Sequence, residues 1–334
     1  MQYNKDLYNF NTFHLHAQAS RWLEVNTTND LQLLKNVPEK KYILGGGSNI
    51  LLTGNIEGCV VKNNLKGLDV IDQNENHVWL KVAGGETWHD VVMHCVNNNW
   101  GGIENLSLIP GTAGAAPIQN IGAYGVEVKD VIEKVTFYNW EADSFTTFSN
   151  AECNFGYRDS VFKTQLKGQI IVTEIVLKLT ICNHTLHTEY GAINTELLSM
   201  GITMPTIKDV SDSVIAIRKS KLPDPAIIGN AGSFFKNPEI TNDHYQHLKN
   251  EYNQMPGYLL DNCHVKVPAG WLIEKAGWKG YRDENAGVHE KQALVLVNYQ
   301  NASGSQILKL SDSIIQSIRE KFEISLEREV QIWP

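Results

Sequence analysis

Residues 110–125, PGTAGAAPIQNIGAYG, carry no charge, and neither does the wider stretch from Asn105 to Val126. Gly and Pro interrupt helical hydrogen bonding or cost entropy, so this composition is wrong for a helix. A disordered linker would be charged or Ser-rich. What is left is an ordered loop whose backbone comes close to a neighbour or a ligand. Gly111, Gly114, Gly122 and Gly125 allow that approach because they have no Cβ. Gln119 and Asn120 supply donors and acceptors suited to an amide-rich ring. A tight structural loop has the same composition, although loops of this length are uncommon without a function.

Outward from the loop, strand and helix signals alternate. CVVKNN from Cys59 and VWLKVAGG from Val78 read as strands bounded by turns. Thr87 opens a helix with Asp90 as a partial capping box, and Val91, Val92, Cys95 and Val96 form its apolar side. VIEKVTFYNW from Val131 and IIVTEIVLKLT from Ile170 are β-branched and should pair in a sheet. Thr206 and Asp209 give a second capping-box signal, followed by Ile207, Val210, Val214 and Ile217 at helical spacing. KLPDP at 221–225 ends that helix, and GNAGSFFKNP at 229–238 reads as a second Gly-rich turn. Ile307, Leu310, Ile314, Ile318 and Phe322 mark a late helix that feeds a final strand. In FEISLEREVQIW, Phe322, Ile324, Leu326, Val330 and Ile332 alternate on one face. Glu329 then lies on the other face with Glu323, Ser325 and Glu327, and Arg328 falls at an apolar-face position without an explanation.

A chain of 334 residues holds about two domains, and no flexible linker separates the halves near residue 183. Its 42% hydrophobic and 20% charged residues are those of a soluble globular protein. A net charge of −8 argues against a nucleic-acid binder and against a polybasic membrane surface. No apolar run is long enough to span a membrane, and MQYNKDLYNF lacks the apolar core of a signal peptide. The five cysteines are widely spaced without CxxC, as expected of reduced cytosolic thiols. His184 and His187 form HxxH with no third ligand nearby, so no metal is expected. There is no GxGxxG after a strand, no Gly-Lys, no GxSxG and no HExxH, which leaves the Rossmann, P-loop, hydrolase and zincin readings without support. The Gly clusters at 45–49, 110–117 and 229–235 offer backbone N–H concavities for anions. Two of them in one domain suit the phosphates of a dinucleotide.

LGGGSN, LIPGTAGAAPIQNIGAYG, FGYRDS, KLPDP, GNAGSFFKNP, AGWLIE, QALVLVN and LEREV together resemble the UDP-N-acetylenolpyruvoylglucosamine reductases, also called UDP-N-acetylmuramate dehydrogenases, in the family's order from about residue 12 to the end. The resemblance implies an α+β fold. A vanillyl-alcohol-oxidase-like (PCMH-type) FAD-binding domain, of two subdomains, would occupy 12–182. A smaller C-terminal α+β substrate domain would occupy 183–334, its last strand returning toward the active site. The implied activity is cytoplasmic, NADPH-dependent and FAD-mediated: reduction of UDP-N-acetylglucosamine enolpyruvate to UDP-N-acetylmuramate by a monomer with non-covalent FAD.

The resemblance also carries over residue by residue. Ser233 is similar to the family's proton donor, Arg158 to its active-site arginine and Glu329 to its second acid. Read alone, Ser233 is a turn residue, Arg158 an ion-pair partner of Asp159 and Glu329 part of a solvated strand face. The implied flavin contacts are Gly45, Gly46, Gly47, Ser48 and Asn49, then Pro110, Gly111, Ala115, Ala116, Ile118, Gln119, Asn120 and Gly122. Ala115 and Ala116 replace serines of some members, so backbone N–H groups must serve there. The implied substrate contacts are Tyr190 on a capping loop, Arg218, Lys221, Asn237 and Gln292. Two other readings stay open: a flavin oxidase acting on a different substrate, and a non-catalytic nucleotide-sugar-binding module.

Overall fold

A computed structural model of the chain describes residues 1–260 and 263–334. The chain forms two compact units. The first comprises residues 1–5, 19–47 and 56–220, and the second 6–18, 48–55 and 221–334. Contacts thus group residues 183–220 with the first unit, whereas the sequence boundary sets them with the second half. Leu186 and Ile207 pack onto the first unit's core, which accounts for the difference.

In the first unit a five-stranded antiparallel sheet runs in the order Ser144–Ser149, Ile132–Asn139, Ile170–Thr180, His77–Ala83, Leu68–Gln73. The expected pairing of the two β-branched strands is present, with Val135 opposite Ile175. Alternation buries Val78, Leu80 and Val82 in one cluster with Val91, Val92, Cys95 and Val96 of helix α1 (Trp88–Asn97). Each aliphatic side chain removed from water contributes about 1.5–3 kcal/mol. Thr87 occupies the N-cap position, but its side chain makes no capping bond. The helix start is instead tied to the uncharged loop, since the Trp88 N–H donates to the Gly111 carbonyl at 3.0 Å. A second sheet contains the parallel strands Gln18–Val25, Ile56–Asn63 and Lys41–Leu44. Ile56–Asn63 is buried over most of its length, as central parallel strands are. Helices α2 (Ile193–Ser199) and α3 (Ile207–Lys221) complete the unit. The Thr206 N–H donates to Asp209 Oδ2 at 2.8 Å and the Asp209 N–H to Thr206 Oγ1 at 3.3 Å, a full capping box.

The second unit pairs Gly229–Ser233, Val295–Asn298, Ala286–Val288 and Arg282–Asp283 in one sheet, with α4 (Asn242–Glu251), α5 (Ala269–Lys275) and α6 (Gly304–Phe322). Helix α6 buries Ile307, Leu310, Ile314, Ile318 and Phe322, as the spacing requires. Two sequence expectations are corrected. The segment from Gly229 is a strand and not a turn, because a bulge between Asn230 and Ser233 absorbs its glycine. The Asn230 amide stabilises the bulge by donating to the Ile228 carbonyl and accepting from the Gly232 N–H. Near the C-terminus, alternation holds through Val330 and then slips, leaving Ile332 exposed and Trp333 buried. Around this point the chain leaves Phe234 and Phe235 and pairs, through Gln331–Trp333, with Ile50–Leu52. A one-residue slip between partners turns every following side chain to the other face.

Candidate active site

In the first unit two Gly-rich segments touch. A Cβ on Gly46 would lie 2.8 Å from Gly111 Cα, and one on Gly45 would lie 2.5 Å from Thr112 Oγ1. Only glycine permits so close a backbone approach. Lys62 donates from its ammonium group to the Gly45 carbonyl, and burial pushes its pKa below the usual lysine value. Gly46, Pro110 and Ala115 stay exposed beside this contact. An uncharged strip with few side chains and with backbone donors beside it fits a flat ring system and a pyrophosphate.

Within the loop, Asn120 is fully buried with φ +45°. Its Nδ2 donates to Glu127 Oε2 at 3.1 Å and to the Gly156 carbonyl at 2.9 Å, while its Oδ1 accepts from the Lys129 N–H at 3.1 Å. That side chain is committed to the protein, which leaves the backbone for any ligand contact. Arg158 is half-buried and tied to the same loop. Its Nη2 donates to the Gly122 carbonyl at 2.6 Å and its Nη1 to the Asn120 carbonyl at 3.4 Å. An expected flavin segment and an expected active-site arginine are therefore bonded together.

Farther along the loop, a Cβ on Gly125 would lie 3.4 Å from Tyr190 Cβ, which places Tyr190 against the loop's end. Arg218 on α3 is charge-coupled to Tyr124. Burial lowers the guanidinium's pKa, with Tyr124 opposing, and burial raises the Tyr124 pKa. Arg218 Nε is buried and makes no hydrogen bond among the described residues. A buried donor in that state is suited to an acceptor from outside the chain. Lys221 is exposed at the end of α3. His89 was not anticipated: its Nδ1 accepts from the Leu108 N–H at 3.0 Å, and burial holds its pKa below the ordinary value. Neither Tyr124, inside the uncharged stretch, nor Lys62, in CVVKNN, was singled out from sequence.

In the second unit Ser233 ends its strand and is exposed. The Glu329 N–H donates to the Phe234 carbonyl at 2.9 Å, and Phe235 bridges Arg328. The two candidate acids thus lie on paired extended segments. Asn49 Nδ2 donates to the Glu329 carbonyl at 3.3 Å, so Ser48 and Asn49, which belong to this unit, adjoin that pairing. Arg328 reaches α6, where its Nε donates to Ser311 Oγ at 2.8 Å and its guanidinium pairs with Asp312. This explains a charge at an apolar-face position. Asn237 Oδ1 accepts from the Ala269 N–H at 2.9 Å, and Gln292 Oε1 lies 3.2 Å from the Cβ position of Gly270, so both amides frame the start of α5.

A family model for an FAD binding domain matches residues 24–145, and one for the C-terminal domain of UDP-N-acetylenolpyruvoylglucosamine reductase matches residues 224–333. The UDP-N-acetylenolpyruvoylglucosamine reductase of Flavobacterium johnsoniae is 49% identical over 334 residues, covering 99% of each chain. That of Amoebophilus asiaticus is 46% identical over 336 residues, again covering 99% of each. The crystal structure of the Thermus caldophilus reductase of the same name aligns with a TM-score of 0.68 at 23% identity, over 98% of this chain and 97% of that one, which shows the fold. A PCMH-type FAD-binding domain joined to a smaller C-terminal α+β domain defines a flavin-dependent oxidoreductase. Over its whole length the chain belongs to the UDP-N-acetylenolpyruvoylglucosamine reductase family.

Proposed function

We propose that the chain reduces UDP-N-acetylglucosamine enolpyruvate to UDP-N-acetylmuramate with NADPH, in cytoplasmic peptidoglycan precursor synthesis, acting as a monomer. The observation that carries this reading is the pairing of the Ser233 and Glu329 segments in a chain of this family. When bound, FAD would supply the redox chemistry that links NADPH to the enolpyruvyl group. Gly45 to Asn49 and Pro110 to Gly122 would hold it without a covalent bond, through backbone N–H groups where Ala115 and Ala116 offer no hydroxyl.

Hydride arrival moves an electron pair onto the substrate carboxylate as an enolate. Arg158 is suited to that charge and Glu329 to the enol, and a well-placed donor in a dry site stabilises such a species by roughly 3–4 kcal/mol. Ser233 gives its hydroxyl proton to the α-carbon and, being exposed, regains one from water. Arg218 and Lys221 engage the diphosphate and carboxylate, Asn237 and Gln292 make polar contacts, and Tyr190 closes over the substrate.

The test is stopped-flow kinetics on Ser233→Ala. Flavin reoxidation by the enolpyruvyl substrate should slow by about 10²–10⁴-fold, the usual contribution of a positioned acid. Flavin reduction by NADPH should be nearly unchanged. Equal slowing of both half-reactions would make Ser233 structural.

A further inference from the structure

Glu189, Tyr190 and Gly191 are all exposed, yet the segment that carries them is anchored from within. At its base the His184 ring meets Thr180 Oγ1 at 2.7 Å and Asn99 Nδ2 at 3.2 Å. Leu186 packs on the core. Nearer the tip stands Asn105, which is 0% exposed. Its Nδ2 donates to the His187 carbonyl at 2.7 Å and to the Tyr124 carbonyl at 3.0 Å. One buried amide nitrogen therefore joins the end of the Gly-rich loop to the run that leads into Tyr190. Beyond it, Gly191 faces the Tyr124 ring and Tyr190 lies against Gly125.

We infer that Asn105 is a positioning residue that fixes residues 187–191 against residues 124–125 and so presents Tyr190 to the substrate. This rests on the reading of Tyr190 as the residue that closes over substrate. The chemistry selects asparagine: two N–H donors on one atom, on a short neutral stem. Aspartate has the same shape but turns an acceptor toward two carbonyls. Asn105 Oδ1 is buried with no partner among the described residues, so the two donated bonds set the orientation.

The experiment uses the FAD-loaded enzyme carrying Asn105→Asp. KM for UDP-N-acetylglucosamine enolpyruvate should rise about tenfold or more, the effect of losing two bonds of ordinary strength. Saturated turnover and flavin reduction by NADPH should hold, and glutamate-specific proteolysis after Glu189 should quicken. In a Tyr190→Ala background, Asn105→Asp should add little to KM, because both changes remove one arrangement. Should Asn105→Asp fail to fold, Asn105→Ser, which keeps one donor, gives the same readouts at smaller amplitude. Equal slowing of both half-reactions, additive effects on KM, or unchanged cleavage after Glu189 would overturn the proposal. Tyr190→Ala with an unchanged KM would instead defeat the closing role of Tyr190, and cleavage after Glu189 in Asn105→Asp would then judge the clamp by itself.

Discussion

Asn105 and Asn120 belong to the uncharged stretch, and both direct their amides at backbone groups of the protein. Composition alone cannot separate an asparagine that reads a ligand from one that braces a loop, since the side chain offers the same donors and acceptor to either. Asn120→Ala leaves the Gly156 carbonyl and the Lys129 N–H without their partner. The expected cost is about 1–3 kcal/mol for buried groups left unsatisfied. A lowered thermal midpoint with weaker FAD retention would show it, and an unchanged midpoint would refute it. Arg328 is the opposite case. Its position in the alternation is anomalous in the sequence, but the cause, Ser311 and Asp312 on α6, is visible only in three dimensions.

At the scale of elements, signals carried by a segment's own composition and spacing are legible. The capping box before α3, the apolar faces of α1 and α6, and the pairing of Ile132–Asn139 with Ile170–Thr180 were all legible. The bulged strand at Gly229–Ser233 and the slip before Trp333 were not, because each depends on which strand lies alongside. The contact between the two Gly-rich segments makes a prediction of this scale. Gly46→Ala places a methyl 2.8 Å from Gly111 Cα, a backbone atom that cannot rotate away. The segments must part, and FAD affinity should fall about tenfold or more, equivalent to about 1.4 kcal/mol. Gly54→Ala, whose Cβ would meet only Pro334 at 3.6 Å, is the control. Titration of apoprotein followed by flavin fluorescence distinguishes the two. Similar affinities for both variants would remove the proposed role of the contact.

For the whole molecule, each unit contains a histidine whose pKa lies below its ordinary value, His89 in the first and His289 in the second, and burial is the main cause in both. The unfolded chain binds protons at these positions near pH 6.5, whereas the folded protein resists them. Stability should therefore be level above about pH 6.5 and fall as pH drops through that value. Thermal midpoints between pH 7.5 and 5 test this. His89→Asn, which keeps an acceptor for the Leu108 N–H, should lessen the fall, and an undiminished slope would argue against His89. From sequence alone, length, periodicity and capping signals determined about two domains of mixed helix and strand, because those signals repeat locally, and the resemblance of the ordered motifs from LGGGSN to LEREV implied the α+β class, the FAD-binding half and the family. Tertiary structure alone decided that Asn105 clamps His187, that Asn120 braces the loop, that Arg158 bonds the loop's carbonyls and that Glu329 pairs beside Ser233. Most of those partners lie tens of residues apart, and hydrogen bonds between them leave no periodic trace in the chain.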